Sequence, residues 1–229
     1  MQEMKFRHEL KYVVSGAQLE MLRNRIEHLL PRDRHAGEDG GYAIRSLYFD
    51  DYNNRCFYEN ENGTDPREKF RIRIYNHSTE KITLECKRKE RGMTHKDSCR
   101  LTVEQTRELM EGRALPDIAA QPPLLQKLTK EMLLRRMRPV VIVSYDRVPY
   151  VYKNGNVRVT FDKNIASSKD VGAFLQETVP GRPIMPAGRQ LLEVKYDEFL
   201  PDYIYNNLQL NNLQQTAFSK YYLCRKYSR

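Results

Sequence analysis

Cations recur at every second position along several segments of this 229-residue chain, with carboxylates set among them. Arg71 and Arg73 flank Ile72, Glu85, Lys87 and Lys89 alternate with Cys86 and Arg88, and Glu193 and Lys195 bracket Val194. Arg7, Glu9 and Lys11 repeat the arrangement near the start, and Arg158, Thr160 and Asp162 repeat it later. Alternate side chains of a β-strand share a face, so each segment predicts one apolar face and one charged face. For a single strand the plain reading is a solvated outer face. Across all the segments that reading weakens, because like charges two residues apart repel and a solvated face usually mixes signs with Ser, Thr and Gln. If the charged faces instead line a closed barrel, rows of Lys and Arg surround a lumen and an anion neutralises them. Cationic strands facing one another, with a few carboxylates between them, would hold phosphate groups and a divalent metal.

Bulk composition agrees with an anionic partner. Lys and Arg number 39 against 30 Asp and Glu, a formal charge of +9. Phosphates, nucleic acid and an anionic membrane surface all fit that excess. Fifteen tyrosines suggest nucleic acid, but most fall opposite the charged strand faces or in the C-terminal stretch, where they are expected to pack. No helix-turn-helix, RRM or zinc-finger signature appears, so no specific nucleic-acid partner is expected. The start of the chain is charged and lacks the apolar core of a secretory leader, and no apolar run is long enough to span a bilayer. Membrane insertion is therefore not expected; if a product crosses a membrane, a membrane-protein partner carries it. Cys56, Cys86, Cys99 and Cys224 form no C-x-x-C pair, which points to reduced thiols and a cytoplasmic location. His8, His28, His35, His77 and His95 lack metal spacing and read as structural or surface residues.

The elements that must position the charges are mostly short strands, at 6–13, 42–50, 69–75, 81–89, 96–101, 140–152, 156–162 and 190–196. Asn154-Gly155 marks the hairpin between the sixth and seventh. Ser15 with Gln18 makes a capping box for a helix carrying Leu19, Leu22, Ile26 and Leu29, closed by Pro31. Thr102 with Gln105 caps a second helix, ended by Gly112, and a third runs from Pro122-Pro123 to Met137. Residues 51–66 read as an Asn/Asp/Gly-rich connection, and two short helices are expected after Pro201. With no repeat and no linker, one domain over 1–229 is expected.

Read in order, Arg7-His8-Glu9-Leu10-Lys11-Tyr12, Ser46-Leu47-Tyr48-Phe49-Asp50, Arg71-Ile72-Arg73, Leu84-Glu85-Cys86-Lys87 and Ser144-Tyr145-Asp146-Arg147 are followed by three more motifs. These are Val157-Arg158-Val159-Thr160-Phe161-Asp162, Leu192-Glu193-Val194-Lys195 and Phe218-Ser219-Lys220-Tyr221. The series resembles the VTC domain, the polyphosphate polymerase module of the vacuolar transporter chaperone complex. That domain belongs to the triphosphate tunnel metalloenzymes, which also include CYTH-type phosphatases. The resemblance implies an α+β fold: an antiparallel β-barrel tunnel with flanking helices and a C-terminal helix near the tunnel. It implies binding of ATP or another triphosphate and of a growing polyphosphate chain, with Mn2+ or Mg2+ as cofactor. Lys11, Arg71, Arg73, Lys87, Arg147, Arg158 and Lys220 are then expected to act on the phosphates in catalysis. Lys96, Arg45, Glu9, Glu85, Lys89, Lys195 and Ser219 are expected to bind substrate, and Glu193 to hold the metal.

One departure matters. Hydrolytic tunnel enzymes typically open with E-x-E-x-K, whereas Arg7 stands here where the first Glu would be, leaving Glu9 and Lys11. This looks more like the polymerase branch than a water-activating triphosphatase. The alternatives are a triphosphatase of the same fold, with Glu9, Glu85 and Glu193 as metal ligands, and a non-catalytic polyphosphate-binding module. The SPX module and membrane segments of the eukaryotic assemblies are absent from the sequence, so an inositol-phosphate sensor is not expected.

Overall fold

Alternation becomes strand close to where the pattern places it. The chain forms β1 (His8–Ser15), β2 (Tyr42–Asp50), β3 (Arg67–Tyr75), β4 (Ser78–Glu90), β5 (Met93–Leu101), β6 (Arg138–Tyr152), β7 (Val157–Ser168), a two-residue β8 (Arg182–Pro183) and β9 (Arg189–Tyr196). Six helices accompany them: α1 (Gly16–Glu27), α2 (Arg55–Glu61), α3 (Val103–Met110), α4 (Pro123–Arg135), α5 (Asp202–Asn207) and α6 (Lys220–Tyr227). This computed structural model describes residues 5–227; the first four residues, part of the charged opening read above, lie outside them.

All the strands pair antiparallel in the order β1-β9-β7-β6-β2-β3-β4-β5, with β8 attached to β7. The two ends of that order meet: Arg7 and Thr94 exchange both backbone hydrogen bonds at 2.9 Å, joining the start of β1 to the start of β5. The sheet therefore curls round on itself as a tunnel, and each strand presents one face inward.

The outward faces are apolar and covered by helices. Leu19, Leu22 and Ile26 of α1 and Ile204 of α5 pack on Tyr12, Val14, Val159, Phe161, Leu192 and Val194. On the other flank Leu109 of α3 and Leu125, Leu128 and Met132 of α4 share a core with Leu47, Ile72, Leu84 and Leu101. Each fully buried side chain of this kind contributes about 1.5–3 kcal/mol. That burial fixes which face of every strand is left for the lumen. Both predicted capping boxes form, Ser15 with Gln18 and Thr102 with Gln105.

Three local expectations change. α1 stops at Glu27, because the N–H groups of Leu29 and Leu30 both turn back to Ile26 O; Leu29 is exposed and Leu30 takes the buried place. The connection at 51–66 contains α2, whose start is held from outside the helix. The buried Asp50 carboxylate accepts the N–H groups of Cys56 at 2.8 Å and Phe57 at 3.2 Å. The Asn154-Gly155 hairpin forms, but over four residues, from Tyr152 to Val157. Gly155 sits at φ 72, and a Cβ there would lie 2.6 Å from Phe199 O, so only glycine meets both demands.

Candidate functional site

The inward charges gather into nodes, each built around a buried carboxylate. Glu85 of β4 is the centre of the first. Arg71, its cross-strand partner, donates from Nε at 2.7 Å and from Nη2 at 2.6 Å, Lys96 from Nζ at 2.8 Å, and Arg73 lies at 3.6 Å. The arginines are fixed on their far sides by neutral acceptors: Arg71 by Tyr48 Oη at 2.8 Å, Arg73 by Ser46 Oγ at 3.2 Å and Tyr145 Oη at 3.3 Å. Burial by itself would raise the Glu85 pKa, but Arg71, Arg73 and Lys96 outweigh it and hold the carboxyl far below the ordinary range.

Glu9 and Glu193 form the second node, set diagonally across the β1–β9 pair, where Glu9 is opposite Lys195 and Glu193 opposite Lys11. Lys11 lies 3.5 Å from Glu9 and 3.6 Å from Glu193, and Lys195 lies 3.4 Å from each. Lys87 reaches over from β4 to Glu9 at 2.5 Å. Burial pushes Glu9 up, yet Lys11, Lys87 and Lys195 bring it down to about 2. Lys87 moves the other way: burial, with repulsion from Lys11 and Lys195, outweighs Glu9 and lowers it to about 7.

Asp162, fully buried, anchors the third node. Arg147 grips it bidentately at 2.6 and 2.7 Å and reaches Glu193 at 3.1 Å, linking this node to the second. Lys220, the first residue of α6, contacts Asp162 at 2.6 Å and lies over the Tyr145 ring at 4.7 Å. The segment leading into α6 runs beside β1, with Tyr12 bridged to Gln215 and the Thr216 N–H donating to Lys11 O at 2.8 Å. Lys11 Nζ donates to Phe218 O at 2.8 Å, and the Tyr221 hydroxyl donates to Asp50, tying α6 to the same carboxylate that starts α2.

The nodes bring together Lys11, Arg71, Arg73, Lys87, Lys96, Arg147, Lys195 and Lys220 with Glu9, Glu85 and Glu193. Lys89 shares their face by register, paired with Arg67 on one side and Thr94 on the other. Ser219 lies at the α6 end, where its Oγ accepts from Lys69 at 3.3 Å. Lys89 and Ser219 thus lie beside the nodes, and two further expected residues are drawn away from them. Arg45 neighbours Ser46 and therefore points to the opposite face, where its guanidinium clamps the carbonyls of Phe174, Gln176 and Glu177 and meets His77. Arg158 lies on the inner face but turns to Asp33 and is 39% exposed.

Five contributors lie outside the expected set: Lys69, Asp162, Ser46, Tyr48 and Tyr145. Lys69 continues the Arg71–Arg73 alternation by one step, a signal that extending the pattern would have caught. Asp162 stood in its own alternating segment. The two tyrosines carry no local signal, since only the closed sheet shows that their hydroxyls hold Arg71 and Arg73.

Among the described residues no three His, Cys, Asp or Glu side chains cluster as a ready metal cage. A carboxylate pair does fit a shared cation: Glu9 Oε1 is buried without a hydrogen-bond donor, beside Glu193 and its lysines. Such a pair suits an ion that takes its remaining ligands from phosphate oxygens. Among the described residues no helix is long and apolar enough to cross a membrane.

Solved structures share this architecture. HpAC1 from Hippeastrum, a candidate adenylyl cyclase with a dominant triphosphatase activity, aligns at TM-score 0.57 and 11% identity, covering 98% of this chain and 96% of its own. A candidate adenylate cyclase from Bacillus halodurans aligns at 0.53 and 14% identity, covering 93% and 95%. PH1012 from Pyrococcus horikoshii OT3 aligns at 0.51 and 14% identity, covering 95% and 97%. No curated protein matches at the level of sequence. At these identities the likeness is one of fold, the antiparallel triphosphate tunnel. The family model for the VTC domain matches residues 6–228, nearly the whole chain, and the protein belongs to the VTC-domain family.

Proposed function

We propose that the protein is a polyphosphate polymerase that transfers the terminal phosphoryl group of ATP to a growing polyphosphate chain inside the tunnel. One observation carries the reading: the inner face holds twelve cations, Lys11, Arg67, Lys69, Arg71, Arg73, Lys87, Lys89, Lys96, Arg147, Arg158, Lys195 and Lys220, against four buried carboxylates, Glu9, Glu85, Asp162 and Glu193. A lumen with that imbalance is completed by a polyanion.

Phosphoryl transfer asks mainly for positioning and charge stabilisation. Arg71, Arg73 and Arg147 present planar forks suited to non-bridging phosphate oxygens, while the lysines supply compact charge. An oxygen of the chain's terminal phosphate attacks the γ-phosphorus of ATP. The bond from γ-phosphorus to the bridging oxygen breaks, ADP leaves with that electron pair, and the chain is one phosphate longer. The acceptor is already an anion, so no general base is needed; the obstacle is repulsion between two anions, which the cations relieve. Glu193, with Glu9 beside it, would hold Mn2+ or Mg2+. When bound, such an ion neutralises charge on the phosphate oxygens.

Incubation with ATP and Mn2+, followed by a polyphosphate-stained gel and assays of ADP and free phosphate, tests the proposal against Lys87→Ala. Long chains with ADP and little free phosphate, lost in the variant, are expected. Free phosphate without chains would instead favour a triphosphatase. Glu9 Oε1, which takes no hydrogen bond although Lys195 lies 3.4 Å away and which could orient a water, and the activity of HpAC1 support that second reading.

A further inference from the structure

Nearly every cation on the inner face has an acid within ion-pair distance: Lys11, Lys87 and Lys195 share Glu9, Arg71, Arg73 and Lys96 share Glu85, and Arg147 and Lys220 share Asp162. Three do not. Arg67, Lys69 and Lys89 lie where β3 begins and β4 ends, in the cross-strand pairs Arg67–Lys89 and Lys69–Lys87, and none meets a carboxylate among the described residues. Two of them are held instead by neutral acceptors. Lys69 Nζ donates to Asn60 Oδ1 at 2.5 Å and Ser219 Oγ at 3.3 Å above the Tyr221 ring, and Arg67 donates to Thr64 O at 2.7 Å. Beside Lys89 in the next strand is Thr94, whose hydroxyl oxygen is buried with no hydrogen-bond partner.

Neutral acceptors fix a cation in place without cancelling its charge. Burial, then repulsion from Arg67 and Lys87, lowers Lys69 to about 7, a cost that an incoming anion would remove. The carboxylate nodes offer a different environment, with acids beside the cations where a divalent ion can be shared. The tunnel thus has two compartments, one in which cations and acids pair and one whose cations have no acid within ion-pair distance among the described residues, Glu59 and Asp65 acting on Lys69 and Lys89 only from further off.

We propose that Arg67, Lys69, Lys89 and Thr94 form a binding track for the polyphosphate chain itself, outside the triphosphate site, along which the polymer passes one end of the tunnel. This rests on the proposed function. The track recognises metal-free, repeating phosphate, so it discriminates by chain length: a long polymer reaches both compartments, whereas tripolyphosphate occupies the carboxylate nodes. No aromatic face is offered for base stacking there, since Tyr221 beneath Lys69 is 2% exposed, which favours phosphate polymer over nucleic acid.

Equilibrium binding of tripolyphosphate and of long-chain polyphosphate, measured over a range of salt, tests the track in Lys69→Met, Arg67→Gln and the double variant, with thermal melting alongside. Tenfold or greater selective loss of long-chain affinity is expected in the double variant, with a slope of log K against log salt shallower by about 1.4 for two lost contacts. Lys69→Arg, which keeps the charge, should restore long-chain binding, and Arg67→Gln carries the test if Lys69→Met melts early. Equal losses for both ligands would assign these residues to the triphosphate site and overturn the proposal, as would no loss for either. If the unmodified protein binds tripolyphosphate but no long chain, the polymerase reading falls and the track falls with it.

Discussion

Glu85→Gln separates what holds the tunnel together from what it is for. Glu85 is 2% exposed and is the common partner of Arg71, Arg73 and Lys96. The substitution keeps the shape and removes the charge, leaving two buried guanidiniums and a lysine uncompensated. Removing one member of a buried pair costs about 3–5 kcal/mol. Lys96 is 49% exposed and its share is screened by solvent, which places the expected loss near the lower bound, about 3 kcal/mol. For a chain of this size each kcal/mol corresponds to about 2–4 °C, so the melting temperature should fall by about 6–12 °C. Tripolyphosphate brings negative charge back to the same arginines. At a hundredfold excess over its dissociation constant it stabilises by about 2.7 kcal/mol, and it should bind the variant more tightly because no carboxylate competes. Calorimetric melting of both proteins, with and without tripolyphosphate, should show a gap that narrows when the ligand is present. An unchanged melting temperature without ligand, or a deficit that tripolyphosphate leaves untouched, would refute the view of Glu85 as a stand-in for phosphate.

Arg147→Ala removes the fork that joins Asp162 to Glu193; ATP-dependent chain synthesis should drop about 10²–10³-fold, and a loss under threefold in an ADP-release assay would place the transfer elsewhere. Glu193→Gln should move the midpoint of a Mn2+ titration of activity at least about tenfold; an unmoved midpoint removes Glu193 from the metal site. Lys87 and Lys69 stand at about 7 in the free protein; Lys87, which lies in the carboxylate nodes, is largely neutral at pH 8 and bound tripolyphosphate recharges it. Tripolyphosphate binding at pH 8 should therefore take up protons, and affinity should fall as pH rises above 7. Titration calorimetry in two buffers of different ionisation enthalpy reads the uptake directly, and Lys87→Arg should diminish it. For stability the sign is the reverse: the folded pKa lies below the unfolded one, so the cost of burying these charged lysines is present below pH 7 and lifts above it. Thr102→Ala deletes a capping bond on α3, far from the lumen, and should cost about 1 kcal/mol in thermal melting without altering tripolyphosphate affinity.

Much of this molecule is written locally. Strand alternation at Arg71-Ile72-Arg73 and Leu192-Glu193-Val194-Lys195 assigns each residue to a face from its immediate neighbours alone, because a strand has a period of two. The capping boxes at Ser15 and Thr102 lie within four residues of sequence and form as expected. Non-local choices are another matter. The helix α2 was hidden because its start is held by Asp50, a strand residue, and not by its own N-cap. Arg45, expected to bind substrate beside the catalytic Arg73, lies on the opposite face, and the strand pairing of Ser46 with Arg73 reveals it. The alternation of β7 carries on only to Asp162 because the strand then bulges, with Asn164 at φ 54 and its register against β6 shifted. Which cation meets which acid depends on curling the sheet until Arg7 reaches Thr94, an event 87 residues apart in sequence. The sequence by itself determined that cations and a few carboxylates would share one face of their strands, because facing is a property of neighbouring residues. Closure alone decided that Lys87 meets Glu9, that Arg158 is drawn off to Asp33, and that Arg67, Lys69 and Lys89 are left without an acid, because those pairings depend on distances that only the folded sheet sets.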